Sequence, residues 1–362
     1  MKPETPHIIL NNQIINSEAL AGQLNNQTLS GWEKELSLFL NEWFSDSDFV
    51  LAQTSGSTGE PKPIELSKSL MLNSAKRTIE YFNLKKNDRL LLSLPCRYIA
   101  GKMMAVRAVV GQMNLVTVDP AGDFDILENE TFDFGAMVPN QIVKILAQPS
   151  GKEKLQNIQN LLIGGSAISA ELEMQISKLS SRVVSTYGMT ETASHIAIRE
   201  LSVQNKSGFY HCLSGISVGL NENGCLQIHH PEFQEPIHTN DLAEVLPPTR
   251  FKILGRADSV IVSGGIKYFP EMLEKKLEPY FDRRFVISSV PDTKLGEMLV
   301  IAFEGGAFEI KISDNRFGNI QNPFERPKSI FFLTQFPETL SGKIIRSEIK
   351  HLLGEESGNQ TT

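Results

Sequence analysis

Four hydroxyls and two glycines stand together in Thr54-Ser55-Gly56-Ser57-Thr58-Gly59, and Lys62 follows three residues later. Such a run can wrap an oxyanion. Glycines let the backbone come close and adopt positive φ, while amides and hydroxyls donate to phosphate oxygens. A flexible Ser/Gly turn has the same composition, which alone does not separate the two readings. The spacing is not that of a Walker A loop, because Pro61 stands where its second glycine belongs and Pro63 follows Lys62. Kinase and GTPase chemistry thereby lose their main support.

Three further segments carry chemically able residues. In Ser185-Thr186-Tyr187-Gly188-Met189-Thr190-Glu191-Thr192-Ala193-Ser194-His195, Tyr187 can stack on a base, Thr190 can donate to an anion and Glu191 can hold a magnesium ion. Each is also ordinary: a tyrosine at a strand end is commonly core, a lone glutamate solvated, and His195 a satisfied packing histidine. Asp241 can accept from both hydroxyls of a ribose, with Arg256 as its cationic neighbour; the alternative is a surface ion pair. Lys343, after Ser341-Gly342, is a point charge on a turn, mobile and catalytic or simply solvated.

Short apolar runs position these segments. Trp32, Leu36, Phe39, Leu40 and Trp43 recur at helical spacing over 31–44. Residues 49–53 read as a strand leading into the Gly/Ser/Thr run, and 67–82 as a helix beyond it. Runs at 89–94, 114–118, 134–138, 160–163 and 182–186, with helical stretches between several of them, predict a mostly parallel, helix-covered sheet. From 208 to 254 shorter alternating runs with Gly, Asn and Pro turns predict antiparallel hairpins. A smaller α+β unit should follow a boundary near 255–258, with helices over 268–280 and 346–353, strands near 285–289 and 299–303, and a polar tail fraying from 355. The fold class expected is α/β.

Composition narrows the function further. Lys+Arg total 35 against Asp+Glu 42, a net charge of -7 with no basic block, which argues against nucleic acid as a partner. Cys96, Cys212 and Cys225 are odd in number and far apart, the pattern of idle thiols in a reducing compartment and not of structural zinc. No leader-like apolar region opens the chain, and the apolar stretch after Pro95 is broken by Lys102 and Arg107, so neither export nor membrane insertion is expected and the cytoplasm is the expected location.

Taken together and in order, residues 54–62, Tyr187 to Glu191, Asp241 with Gly255 to Pro270, and Ser341 to Lys343 resemble the adenylate-forming superfamily of acyl-CoA synthetases, adenylation domains and luciferases. The resemblance spans residues 54–346. It implies a large N-terminal domain (1–256) with mostly parallel sheets and a β-rich portion, binding ATP and acid, and a small mobile α+β C-terminal domain (257–362). It also implies roles. Thr54, Ser55, Gly56, Ser57, Thr58, Gly59 and Lys62 match the pyrophosphate side of ATP, Gly164-Gly165-Ser166 the adenine-facing loop, and Tyr187 with Gly188 the adenine stack. Glu191, beside Thr190, matches the Mg2+ ligand and Asp241 with Arg256 the ribose pair. Asp258 matches the hinge, Lys343 the lysine of adenylation, and Gly264-Gly265 the face turned to the CoA thiol after rotation.

Only 53 residues precede Thr54, so the N-terminal portion of larger members is expected to be reduced. Short members of this kind resemble o-succinylbenzoate–CoA ligases of menaquinone synthesis, with the stretches 95–107 and 187–197 supporting that choice. The acid would then carry a second, aryl carboxylate needing compensation. Arg97, Lys102 and Arg107 are candidate cations, and Thr192, Ser194 and His195 candidate donors; Lys102 or His195 is expected to contribute. Tyr98 occupies the pocket position where many relatives have a histidine or aromatic. Ligases for another acid, an amino-acid adenylating enzyme, and a non-catalytic ATP-binding relative are the rival readings.

Overall fold

The computed structural model describes residues 7–16, 29–53, 63–202, 207–246, 248–338 and 344–359, the side chains of 357–359 excepted. These fall into two compact units, the first from residues within 7–168 and 172–216, the second from 169–171 and 217–359.

In the first unit, β1 (His7–Leu10) and β2 (Gln13–Asn16) form a hairpin turned by Asn11 and Asn12, both at positive φ (49° and 65°). The helix α1 (Gly31–Phe44) matches the periodicity at 31–44. It buries Leu36, Phe39, Leu40 and Trp43, and the Glu33 carboxylate accepts from both the amide and the hydroxyl of Ser30 at its start. Strand β3 (Phe49–Gln53) pairs antiparallel with β4 (Pro63–Ser67), a strand the periodicity did not indicate. The Ser67 hydroxyl then caps α2 (Lys68–Phe82) by accepting from the Leu70 amide. Residues 54–62 lie outside the described residues.

The expected parallel sheet is present. Strands β5 (Arg89–Leu92), β6 (Asn114–Thr117), β7 (Phe132–Met137), β8 (Ile158–Ile163) and β9 (Arg182–Gly188) pair in parallel, in the order β9-β8-β7-β5-β6. Leu90, Leu91, Leu161, Ile163 and Val183 are fully buried, as strands covered on both faces require. Beyond β9, β10 (His195–Glu200) and β11 (Tyr210–Cys212) continue antiparallel. The connection from β5 to β6 is α3 (Ile99–Gly111), buried on every side from Gly101 to Ala108. The two charges that interrupt this apolar stretch are thus inside the unit. A Cβ on Gly101 would stand 2.3 Å from the Pro95 carbonyl oxygen, so only glycine lets α3 begin where it does.

In the second unit, β12 (Ser217–Leu220), β13 (Cys225–His229), β14 (Ile237–Leu246) and β15 (Arg250–Arg256) form the expected antiparallel meander. Strands β16 (Ile261–Ser263), β17 (Ile266–Tyr268), β18 (Phe285–Asp292), β19 (Gly296–Glu304) and β20 (Ser329–Leu333) make a second sheet, with helices α4 (Pro270–Leu277) and α5 (Arg346–Asn359). Two expectations need correction. The helix expected over 268–280 starts at Pro270, whose fixed φ suits the first helical position, while Tyr268 ends a strand and Glu278–Tyr280 is a 3-10 turn. The tail expected to fray from 355 continues α5 to Asn359, anchored by the buried Ile349 and Leu353. The compact units divide at 216/217, and the sheets of 217–256 and 261–333 are separate within the second unit.

All three cysteines are free thiols, Cys96 and Cys225 buried. Among the described residues no helix is long and apolar enough to cross a membrane.

Candidate active site

Parallel pairing of β8 with β9, Ile163 opposite Ser185, sets Gly164-Gly165-Ser166 beside Thr186-Tyr187-Gly188 at the carboxyl ends of two neighbouring strands. Ligands of open α/β sheets bind at such ends. The contact is close: a Cβ on Gly164 would meet the Thr186 hydroxyl at 2.6 Å, and Gly165 turns the chain at φ +88°. Tyr187 is half-buried, its ring 6.0 Å from that of Tyr210 at 58°.

Gly188 pairs with His195, closing the turn 189–194 between β9 and β10. A Cβ on Gly188 would lie 2.5 Å from His195 Cα and from the Ser194 carbonyl oxygen, so the turn closes only around glycine. Thr192 braces it from inside. Its buried hydroxyl accepts from the Met189 amide (3.2 Å) and lies 2.7 Å from the Ser194 carbonyl oxygen. Ala193 sits at φ +59° and bonds back to the Thr190 carbonyl (2.8 Å). The result is a rigid turn presenting Thr190 half-buried and Glu191 exposed.

Beneath the turn runs a directional chain of hydrogen bonds. Arg107 Nη2 donates to Ser194 Oγ at 2.7 Å; Ser194 Oγ is 3.1 Å from His195 Nδ1; His195 Nε2 is 3.4 Å from Thr78 Oγ1; and the Thr78 hydroxyl donates to the Ser74 carbonyl (3.2 Å). Since the Thr78 proton is spent on Ser74, Nε2–H is the donor to Thr78, and in a neutral ring Nδ1 then accepts from Ser194. Burial, together with the nearby charge of Arg107, holds the His195 pKa well below the ordinary value.

Tyr98 precedes α3, half-buried, with the Arg97 guanidinium 5.0 Å from its ring centre. Lys102 is buried, its ammonium 4.6 Å from the Phe39 ring centre and 3.8 Å from the Glu42 carboxylate. Burial lowers its pKa while Glu42 raises it, with a net downward shift.

In the second unit, register places Asp241 of β14 opposite Arg256 of β15. Arg256 Nη1 reaches Asp241 Oδ1 at 3.2 Å, and its Nε and Nη2 take the two oxygens of Asp258 at 3.2 Å each. Burial alone would lower the Arg256 pKa; the bonds to Asp258 and Asp241 outweigh that, and the net shift is upward. One cation thus joins the expected ribose carboxylate to the expected hinge residue. Gly264 and Gly265, at φ +58° and +81°, form the two-residue turn between β16 and β17, a turn that needs glycine for its backbone alone. Lys343 and the nest 54–62 with Lys62 lie outside the described residues; Glu338 and Ile344 are joined by an antiparallel bridge. No group of three His, Cys, Asp or Glu side chains gathers as a metal cage among the described residues. Nothing in the spacing of residues points to Thr78, whose place in the hydrogen-bond chain depends on the contact between α2 and β10.

Adjoining strand ends at the carboxyl edge of a parallel, helix-covered sheet are where an α/β protein binds its ligand. The model for AMP-binding enzymes matches residues 12–217. A 2-succinylbenzoate–CoA ligase of Lactococcus lactis is 23% identical over 83% of this chain and 70% of its own length. Among solved structures, an AMP-forming acyl-CoA synthetase/AMP-acid ligase II-like protein of Dyadobacter fermentans is 31% identical, with TM-score 0.61 over 94% of this chain and 99% of that one. The o-succinylbenzoate coenzyme A synthetase of Bacillus subtilis, solved with ATP and magnesium, has TM-score 0.72 at 18% identity, over 93% of this chain and 82% of that one. The chain belongs to the AMP-binding enzyme family, as an AMP-forming acid–thiol ligase.

Proposed function

We propose that the chain converts o-succinylbenzoate to o-succinylbenzoyl-CoA with ATP, through an acyl-adenylate. The observation that carries this reading is the adjoining pair of strand ends, Gly164-Gly165-Ser166 and Tyr187-Gly188, with the braced turn holding Thr190 and Glu191 beside them. The named activity of the Lactococcus and Bacillus relatives supports the choice of acid.

In this reading the succinyl carboxylate attacks the α-phosphorus of ATP and pyrophosphate leaves; the CoA thiol then attacks the acyl carbon and AMP leaves. A carboxylate is already an anion at neutral pH, so no general base is needed for the first step. The barrier is bringing it against a polyanion, and preorganised countercharge lowers it. Lys343 supplies one such charge. Mg2+ supplies another when bound, with Glu191 as its protein ligand; the exposed carboxylate suits a hard cation that completes its shell with phosphate and water. Tyr187 stacks on adenine, Thr190 donates to a phosphate oxygen, and Asp241 accepts from the ribose hydroxyls. The segment 257–362 acts as the mobile domain: rotation at Asp258 withdraws Lys343 and brings the Gly264-Gly265 turn to the thiol. Tyr98, Lys102, Thr192, Ser194 and His195 border the acid.

Incubation with ATP, Mg2+, CoA and o-succinylbenzoate should yield the thioester by mass spectrometry; a different product from a panel of acids would replace the substrate assignment. Lys343→Ala should abolish pyrophosphate exchange, a loss of at least about 100-fold, and leave ATP affinity within about threefold, because its charge acts chiefly in the transition state. Equal loss of ATP affinity would contradict that role.

A further inference from the structure

The half-buried ring of Tyr187 does not stand alone at its strand end. Strand β10 lies between β9 and β11, and its pairings set Ala197 opposite both Tyr187 and Cys212, and Arg199 opposite Ser185. Because side chains alternate along a strand, Ser185 and Tyr187, Ala197 and Arg199, and Tyr210 and Cys212 share one face. Ala197 is the gap in that face. It is fully buried, and its methyl leaves room for Tyr210 to lean across the middle strand until the two ring centres are 6.0 Å apart at 58°. The far end of Tyr210 is fixed as well: its hydroxyl is 3.1 Å from Ser185 Oγ and accepts from Arg199, whose guanidinium carbon lies 5.7 Å from the ring centre. Arg199 is held in turn. Its Nη1 and Nη2 donate to the two oxygens of Glu173 at 3.2 and 3.0 Å, and both side chains are largely buried. Burial alone would lower the Arg199 pKa; the bonds to Glu173 and Tyr210 outweigh that, and the net shift is upward. Glu173 is contributed by the helix Ala170–Ile176, which follows the Gly164-Gly165-Ser166 loop in the chain.

We infer that Tyr210 and Arg199 are positioning residues for the nucleotide: the series Glu173, Arg199, Tyr210 holds the Tyr187 ring at the tilt at which adenine stacks on it, and Ala197 keeps that contact open. The inference rests on the reading of Tyr187 as the base platform of the ligase proposed above and names the residues that set the platform. An aromatic pair at this separation and tilt is attractive in its own right. An unbraced tyrosine would have to be frozen by the nucleotide, at a cost in affinity that a braced one avoids. The same ion pair also ties the helix Ala170–Ile176 to the sheet, so the decisive measurement reads recognition of the base and not stability alone.

The test measures binding of ATP and of inorganic tripolyphosphate, which carries phosphates without a base, to the full chain by calorimetry with Mg2+. Because the assay holds no acid, its result does not depend on which acid the chain activates. Tyr210→Leu should lower the ratio of ATP to tripolyphosphate affinity about 5- to 30-fold, and Tyr187→Ala at least as much. Arg199→Lys should lower it less, since it keeps the charge and loses the two-pronged bond to Glu173. In the Tyr187→Ala background Tyr210→Leu should cost nothing further, because its effect runs through the ring already removed. A merely structural brace would change stability and leave the ratio in place. Should Tyr210→Leu fail to fold, Tyr210→Phe removes only the hydroxyl and reads the same ratio, with a fall of about threefold or more expected. A ratio that falls with Tyr187→Ala but stays within about twofold of wild type in whichever Tyr210 variant folds, or losses that add in full, overturn the brace and leave the platform standing. No fall with Tyr187→Ala overturns the platform and the brace with it. No measurable ATP binding overturns the ligase reading and this inference together.

Discussion

Arg346 in the second unit is clasped by two carboxylates: Nη1 and Nη2 bind Glu274 at 2.8 and 2.5 Å, and Nε stands 3.5 Å from Glu271. Glu274 in turn accepts from the Ile287 amide at 2.7 Å, fixing the start of α5 to α4 and β18. Arg256 is held similarly by Asp241 and Asp258. Arg107 in the first unit is more deeply buried than either and has a hydroxyl and a sulfur for company. The physical difference is in what each charge does when nothing is bound. A buried pair is costly to break because the survivor is left charged and dry, whereas removing an unpaired buried charge relieves a penalty already present.

The largest effect should come from setting these two arginines against each other. Arg346→Met leaves Glu274 and Glu271 without their cation and should lose about 2–4 kcal/mol of stability in urea unfolding, a figure reduced for the partial exposure of the pair. Arg107→Met, of similar volume, should stay within about 1 kcal/mol of wild type or gain stability. Equal destabilisation by both would erase the contrast and mark Arg107 as a structural support.

Much of the architecture was legible because β5 to β9 are short apolar runs bounded by turns, and α1 and α2 carry helical periodicity with capping residues at their starts. The strand β10 was hidden by the motif that overlaps it. The apolar runs indicate a strand only over 182–186, yet Gly188 and His195 are already a strand pair. The site was legible as an inventory and not as a circuit. Arg107, Lys102 and Arg97 look alike in sequence, and only the fold decides that Glu35 and Glu42 answer two of them. Thr78 sits on a helix remote in sequence from the turn, so no spacing could link it to His195. Gly264-Gly265 shows the opposite case, a motif whose glycines a tight turn already requires.

A smaller effect separates the units by pH. His195 is buried beside Arg107, and its pKa is held well below the unfolded value, so at mildly acid pH the unfolded chain takes up a proton that the folded chain refuses. This stability is fully present above the unfolded pKa of about 6.5 and declines as pH falls below it, by at most about 1.4 kcal/mol per pH unit until the folded form protonates. Carboxylates bonded to cations in both units also weaken on acidification, so the histidine's share is the part of the wild-type slope between pH 6.5 and 5 that His195→Gln removes. A variant whose unfolding midpoint falls as steeply as the wild type's over that range would show that the imidazole accepts a proton in place, contrary to the neutral ring that burial beside Arg107 favours.

Lys102 supplies the intermediate case and the smallest shift. Its ammonium is buried like Arg107 and has a carboxylate like Arg346, but the contact with Glu42 is long at 3.8 Å and the remaining support is the Phe39 face. A pair with that geometry recovers little more than its desolvation. Lys102→Met, which keeps an unbranched apolar stem against Phe39, should therefore change stability by less than about 1 kcal/mol, whereas Glu42→Gln should cost about 1–2 kcal/mol because it strands the lysine and weakens a carboxylate that also accepts from the Leu51 amide at 2.7 Å. The order of those two losses is the sharper quantity. If removing the cation proves worse than removing the carboxylate, the burial of charge in α3 carries no penalty and the contrast between Arg107 and Arg346 loses its physical basis.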